Sequence, residues 1–175
     1  MICVVGMPGS GKNIFINTAR DFGYDIIVLG DIVREETLKR GYSLKDSGKV
    51  AETLRRELGK AAIARLALDR LKNTPKIVID GIRSYEEVKE FSRYYDCYLV
   101  AIHSSPDKRF KRLLKRGRED DPELYDEFLE RDIRELSFGL GDAIALADKI
   151  IINDSDIKDF QEKCIKFFRE WEENV

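Results

Sequence analysis

Five strand-length runs rich in Val and Ile recur along the chain: ICVVG (2–6), IIVLG (26–30), KIVID (76–80), CYLVAIH (97–103) and KIIIN (149–153). A strand with one wet face alternates apolar and polar residues. These runs do not, so both of their faces must be covered, as in parallel sheets. Parallel neighbours need crossovers of a dozen or more residues, usually helical, and every spacer is long enough. The pattern predicts a three-layer α/β fold with a five-stranded parallel sheet. Two spacers exceed what a crossover needs, which divides the single domain into a core (1–30, 76–105 and 142–175), an insert (31–75) and a second excursion (106–141). Within the insert, 49–71 reads as helix broken at Gly59. In the second excursion, 106–116 opens on Pro106 and stops before Gly117, following the asymmetry of helix ends. Near the C-terminus Phe160, Cys164, Phe167 and Trp171 fall at helical spacing and predict a helix packed on the sheet.

At 175 residues the chain can build one well-cored domain. A net charge of −2 argues against a protein devoted to nucleic acid. No run of about eighteen apolar residues exists, so no membrane-spanning helix is expected. The first strand starts without a basic leader, and Cys3, Cys97 and Cys164 are odd in number, far apart and set in apolar stretches. Buried free thiols in the cytoplasm are the expectation.

The first strand leads into Gly6-Met7-Pro8-Gly9-Ser10-Gly11-Lys12-Asn13-Ile14. Gly6, Gly11 and Lys12 fit G-x-x-x-x-G-K, and Ile14, Thr18, Ala19 and Phe22 continue at helical spacing. Strand, glycine-rich loop and helix in that order gather backbone N–H groups and a helix N-terminus around an anion, with Lys12 on the β- and γ-phosphates. Asp80 ends the third run, on the sheet edge where ligands bind, and a carboxylate there can orient magnesium-bound water. The same residue could instead cap a helix starting near Ser84. Arg34 sits in the first turn of a helix expected from Asp31. The helix dipole disfavours a bare cation there, so an anion must answer it, either substrate phosphate or a local Glu35 or Glu36. Tyr24, Tyr42 and Tyr85 could stack on a base or simply fill the core.

The segment GMPGSGK resembles the loop of adenylate kinases, and three further segments agree in order: GDIVR (30–34), VIDGIRS (78–84) and ADKIIIND (147–154). Across essentially its whole length the chain resembles a small archaeal family related to adenylate kinase and dephospho-coenzyme A kinase. The resemblance implies an ATP- and magnesium-dependent kinase of nucleoside monophosphate kinase-like fold, with 31–75 as acceptor-binding insert and 106–141 as lid. It places the acceptor's phosphate on Arg34, beside Asp31, and on Arg83, whose usual Pro-Arg pair is reduced here to Arg alone. It also lays the loop at Asn153 against adenine. AMP is the first acceptor expected, and dephospho-coenzyme A the second.

KRFKRLLKRGR (108–118) carries seven positive residues and no acidic one. Arg109, Arg112 and Arg116 share a helical face, and convergent guanidinium groups suit the charge that spreads over a transferred phosphoryl group. Arg118 and Arg131 extend the set, and RGREDD resembles the adenylate kinase lid. No Cys pair lies in this region, which excludes a zinc-stapled lid. The sole histidine, His103, follows a strand, but phosphoryl transfer to a phosphate needs little base catalysis; a hydroxyl acceptor would need Asp31 or Asp80.

Asn13 stands where a hydroxyl usually holds magnesium, and Ile14 follows it. Its amide oxygen is a possible ligand, together with Asp80, but it extends one bond further. Phosphate binding survives this change; metal affinity and turnover are what it threatens. A second reading therefore stays open, a nucleotide-binding module or slow ATPase working on a protein or RNA partner.

Overall fold

The computed structural model describes residues 1–71, 76–118 and 121–174. Strands β1 (Ile2–Val5), β2 (Asp25–Val28), β3 (Ile77–Asp80), β4 (Tyr98–His103) and β5 (Lys149–Ile152) form one all-parallel sheet in the order β2-β3-β1-β4-β5. On the central strand, Cys3 stands beside Ile79 of β3 and Leu99 of β4. Successive residues of β1 serve opposite faces. Cys3 and Val5 join Ile79, Leu99, Ile63 and Phe91 in one core, while Ile2 and Val4 join Val78, Val100, Phe15 and Phe160 in the other. Burial of β1 on both sides is the reason its sequence does not alternate.

Helices α1 (Lys12–Asp21) and α9 (Ile157–Asn174) cover the second face. Helix α9 lays down Phe160, Cys164 and Phe167 as its spacing predicts, and adds Phe168, wholly buried 4.8 Å from the Phe15 ring centre. The first face carries α2 (Leu29–Lys39), α4 (Ala62–Leu68), α5 (Tyr85–Ser92) and α8 (Leu140–Ala145). Helix α3 (Ser47–Leu58) stands outside, held through Val50 and Leu54 on Ala62. Gly59 separates α3 from α4 as expected. Helix α6 (Pro106–Arg116) has the predicted limits, with Gly117 closing it in the left-handed conformation. Helix α7 (Tyr125–Ser137) precedes α8.

Three expectations need correction. The last run, β5, is not covered on both faces: at the edge of the sheet Ile150 and Ile152 stand about half exposed while Ile151 is buried. Helix α2 starts at Leu29, not Asp31, because Leu29 and Ile32 are drawn into the core as soon as β2 ends. Cys3 and Cys164 are buried free thiols, but Cys97, just before β4, is only half-buried. Among the described residues no helix is long and apolar enough to cross a membrane.

Candidate functional site

The loop after β1 emerges at the carboxyl edge of the sheet, between the loops that follow β3 and β4. Two of its glycines are dictated by neighbours. Gly9 has φ +78°, and a Cβ there would lie 2.8 Å from the Arg109 carbonyl of α6. Gly11, φ +100°, caps α1, and its Cβ would collide with the Asn153 side-chain amide. L-residues rarely adopt such φ values, so glycine answers both backbone and space. The first turn of α1 then presents unpaired N–H groups and the positive end of the helix dipole.

Lys12 opens α1 and folds back on the loop. Its Nζ donates to the Gly6 carbonyl at 2.6 Å and the Met7 carbonyl at 3.4 Å. Burial of the ammonium pushes its pKa down to about 8, opposed by the Asp80 charge and assisted by Arg83 and Arg116. Among the described residues, two side-chain oxygens at this edge of the sheet, Ser10 Oγ and Asp80 Oδ1, are buried with no partner. Buried unpaired oxygens cost free energy, and native proteins keep few of them. Asp80's carboxyl is accordingly raised by burial, with Lys12 pulling the other way. It does not cap α5: that is done by Ser84, whose Oγ accepts from Glu87 N at 3.4 Å.

A second network fastens the loop to β5 and α6. Asn153, almost wholly buried, donates from Nδ2 to the Ser10 carbonyl at 2.7 Å. Its carbonyl and Oδ1 accept from Arg112 Nη2 at 2.9 and 3.1 Å. Arg112 Nη1 also reaches Ser104 Oγ at 3.0 Å and the Gly9 carbonyl at 3.4 Å. The side chain of Asn153, expected near adenine, is thus spent within the protein. Arg109 is committed further. Only 3% exposed, it binds both oxygens of Asp132 at 2.9 and 2.5 Å, and donates to the Ser104 and Pro8 carbonyls. Arg109 and Arg112 therefore brace the loop from behind. Arg116 binds Asp121, with Nε at 2.7 Å, and Arg131 joins the same carboxylate at 3.3 Å. Arg116 chiefly holds the Asp121 carboxyl down at about 2. Arg118 is exposed. Of RGREDD, residues 119 and 120 lie outside the described residues.

On the opposite side Arg34 pairs with Asp31, both about half exposed. The anion beside it is therefore Asp31 rather than Glu35 or Glu36, which meet Arg70 and Lys39. The Arg83 guanidinium donates to Glu135 of α7, and its N–H donates to Glu87 at 2.8 Å. Glu87 is wholly buried and also accepts from Arg55 at 3.0 Å. Lys12, Asp80, Arg83, Arg116 and Glu135 are close enough for each of the other four to bear on the Lys12 ammonium. Asn13 stands exposed on the first turn of α1, and Ile14 is half-buried with its carbonyl accepting from Thr18.

Sequence reading missed Glu135 and Asp132. Both are buried on α7 beside Phe128, and their spacing to it, four and seven residues, is the signal that could have revealed that face.

The model of the AAA domain family matches residues 5–126. A UPF0200 protein from Thermococcus sibiricus is 44% identical over 172 residues, which cover 93% of this chain and 90% of that one. Shikimate kinase from Bacteroides thetaiotaomicron superposes with a TM-score of 0.63 at 21% identity, over 98% of this chain and 97% of the other. Dephospho-CoA kinase from Campylobacter jejuni gives a TM-score of 0.61 at 16% identity, over 99% and 98%. At these identities the likeness to the solved structures is one of fold.

Proposed function

The chain belongs to the UPF0200 family and has the fold of phosphate-binding-loop kinases, and on that premise we propose that it is an ATP-dependent small-molecule kinase. The acceptor is of nucleotide type, a nucleoside monophosphate such as AMP first and dephospho-coenzyme A second. The observation that carries this reading is the state of Lys12: a buried ammonium held by loop carbonyls, with an unpartnered Asp80 oxygen in its field.

In this reading the triphosphate lies along the loop from Gly6 to Asn13, taking N–H groups from the loop and α1. Lys12 leaves the carbonyls of Gly6 and Met7 for the phosphate oxygens. Arg116 and Arg118 lie on the lid side, 106–141, over the transferred group. The insert, 31–75, brings Asp31 and Arg34 to the acceptor, and Arg83 meets the acceptor's anionic group by exchanging Glu135 for it. Phosphoryl transfer asks mainly for position and positive charge, which these side chains supply.

Magnesium fits the residues present. Asp80 has a buried oxygen without a partner, Asn13 offers an amide oxygen, and a magnesium ion commonly takes one or two protein carboxylates with the rest of its shell from phosphate and water. Among the described residues no three His, Cys, Asp or Glu side chains converge into a cage of their own. When bound, the ion would neutralise charge on the β- and γ-phosphates.

Asn13 and Ile14 supply no hydroxyl, and Arg34 and Arg83 are already answered by the protein's own carboxylates. Those observations favour the second reading, a nucleotide-binding module or slow ATPase with a protein or RNA partner. Thermal unfolding separates the two, since a ligand of the native state raises the midpoint by mass action. The kinase reading expects magnesium to enlarge the ATP shift and AMP or dephospho-coenzyme A to add another. An ATP shift indifferent to magnesium and to both acceptors would leave the second reading.

A further inference from the structure

Three sulfur side chains meet where β1 and β4 begin, at the end of the sheet away from the candidate site. Tyr98 N donates to the Met1 carbonyl at 2.9 Å, so the register of β1 on β4 continues one step back and sets Met1 beside Cys97. Alternate residues of a strand share a face, and Met1, Cys3 and Cys97 all pack on the first core. Cys97 Sγ lies 3.8 Å from Met1 Sδ, and the Cys3 thiol donates a hydrogen bond to Cys97. Cys3 is wholly buried, whereas Met1 and Cys97 are half-buried, so the cluster can be reached from its rim.

The two thiols are badly placed for a disulfide. In this register Cys97 is diagonal to Cys3, one strand across and two residues along. Strand spacing and rise then put their Cα atoms about 8 Å apart. Beyond about 7 Å a bridge requires the backbone to move, and this backbone belongs to the two inner strands of the sheet. An ion spans such a gap. With a metal–sulfur bond of about 2.3 Å, three sulfurs around one centre stand about 4 Å apart, close to the separation of Cys97 from Met1. The donors select the ion. Thiolate with thioether is a soft set that suits Cu(I). Structural zinc takes four ligands from Cys, His and carboxylate, and among the described residues no third such side chain joins these thiols. The sole histidine, His103, stands at the far end of β4. The hydrogen bond from Cys3, aided by one from Ser92, draws the Cys97 thiol down to about 7 against the effect of burial. Cys164, on the other face, is instead pushed up to about 12 by burial.

We propose that Cys3, Cys97 and Met1 form an all-sulfur site for a single cuprous ion, which clamps the start of β1 to the start of β4. Coordination sends the Cys3 thiol proton to solvent, together with that of Cys97 where it is still held. The ion keeps its oxidation state, and no oxidant or reductant is consumed. The site lies at the opposite end of β1 from Gly6, and the proposal does not depend on the kinase reading.

Cu(I), supplied without oxygen to the full chain in competition with a coloured cuprous chelator, tests the proposal. The protein should withdraw one ion per chain, and its unfolding midpoint should rise with the ion bound. X-ray absorption at the copper edge should show a shell of sulfur alone at about 2.3 Å. Cys97→Ser should leave the ion with the chelator while unfolding like wild type in the absence of copper, since Cys97 is only half-buried. Cys3→Ala should lose the ion as well, and Cys164→Ser should bind as wild type does. Should either of the first two variants fail to fold, the absorption spectrum of the wild-type complex still decides, because it needs no variant. A wild type that competes no better than Cys97→Ser, a Cys164→Ser variant that loses the ion, or nitrogen or oxygen in the copper shell would overturn the proposal.

Discussion

Lys12 gives the most exacting prediction, because a retracted ammonium carries a proton signature. In the free protein burial sets its pKa at about 8, against an ordinary 10.5. Polyphosphate on the loop restores the charged form, since an opposite charge at contact raises a lysine's pKa. The sign then follows. Below pH 8 the free ammonium is already protonated, and ATP affinity is flat with respect to this group. Above pH 8 the free lysine is largely neutral, the bound one is charged, and binding must take up a proton. One unit above the free pKa only about a tenth of Lys12 is protonated, so uptake approaches roughly 0.9 proton and affinity falls about tenfold per further pH unit. The terminal phosphate of ATP has lost its own proton by then and does not obscure the signal. Titration calorimetry in two buffers of different ionisation enthalpy reads the uptake directly. Lys12→Met should bind ATP more weakly and take up none through this site. If wild type and Lys12→Met show the same uptake near pH 9, Lys12 is not the group that meets the phosphates.

Three further outcomes are expected. Asp80→Asn should keep the fold and raise the unfolding midpoint at neutral pH. Burial lifts this carboxyl's folded pKa, so its ionisation destabilises the native state as pH rises past the ordinary carboxylate range; the same variant should erase magnesium's effect on the ATP shift. Arg109→Met should cost about 3–5 kcal/mol in denaturant unfolding, because it strands Asp132 as a buried unpaired charge; an effect below about 1 kcal/mol would show the pair is not needed. Glu135→Gln should lower the KM for the acceptor several-fold by releasing Arg83, with kcat changed less, whereas an unchanged KM would remove Arg83 from acceptor binding.

The elements most legible in the sequence were those whose local chemistry and tertiary role agree. Gly117 closes α6 where a helix must end, and the runs of β1, β3 and β4 became strands buried on both faces, whereas β5 at the sheet's edge keeps only Ile151 buried. The loop was legible for the same reason, its glycines being demanded by backbone and neighbours together. What stayed hidden were partnerships made across the fold. Arg109, Arg112 and Arg116 do lie along one helix. Spacing could not tell that Asp132, from 23 residues away, takes the first of them into the protein, or that Asn153 and the Gly9 carbonyl take the second. Arg83 met Glu135 across 52 residues. The start of α2 was misjudged because Gly30 and Asp31 look like a helix entry, while burial of Leu29 begins the helix earlier.

The most direct test of the kinase reading is to incubate the protein with ATP, magnesium and either AMP or dephospho-coenzyme A, and to weigh every nucleotide by mass spectrometry. ADP formed in step with one acceptor gaining a phosphoryl group, and lost in Lys12→Met, is the predicted result. ADP and inorganic phosphate with neither acceptor modified, or no turnover with either, would contradict it.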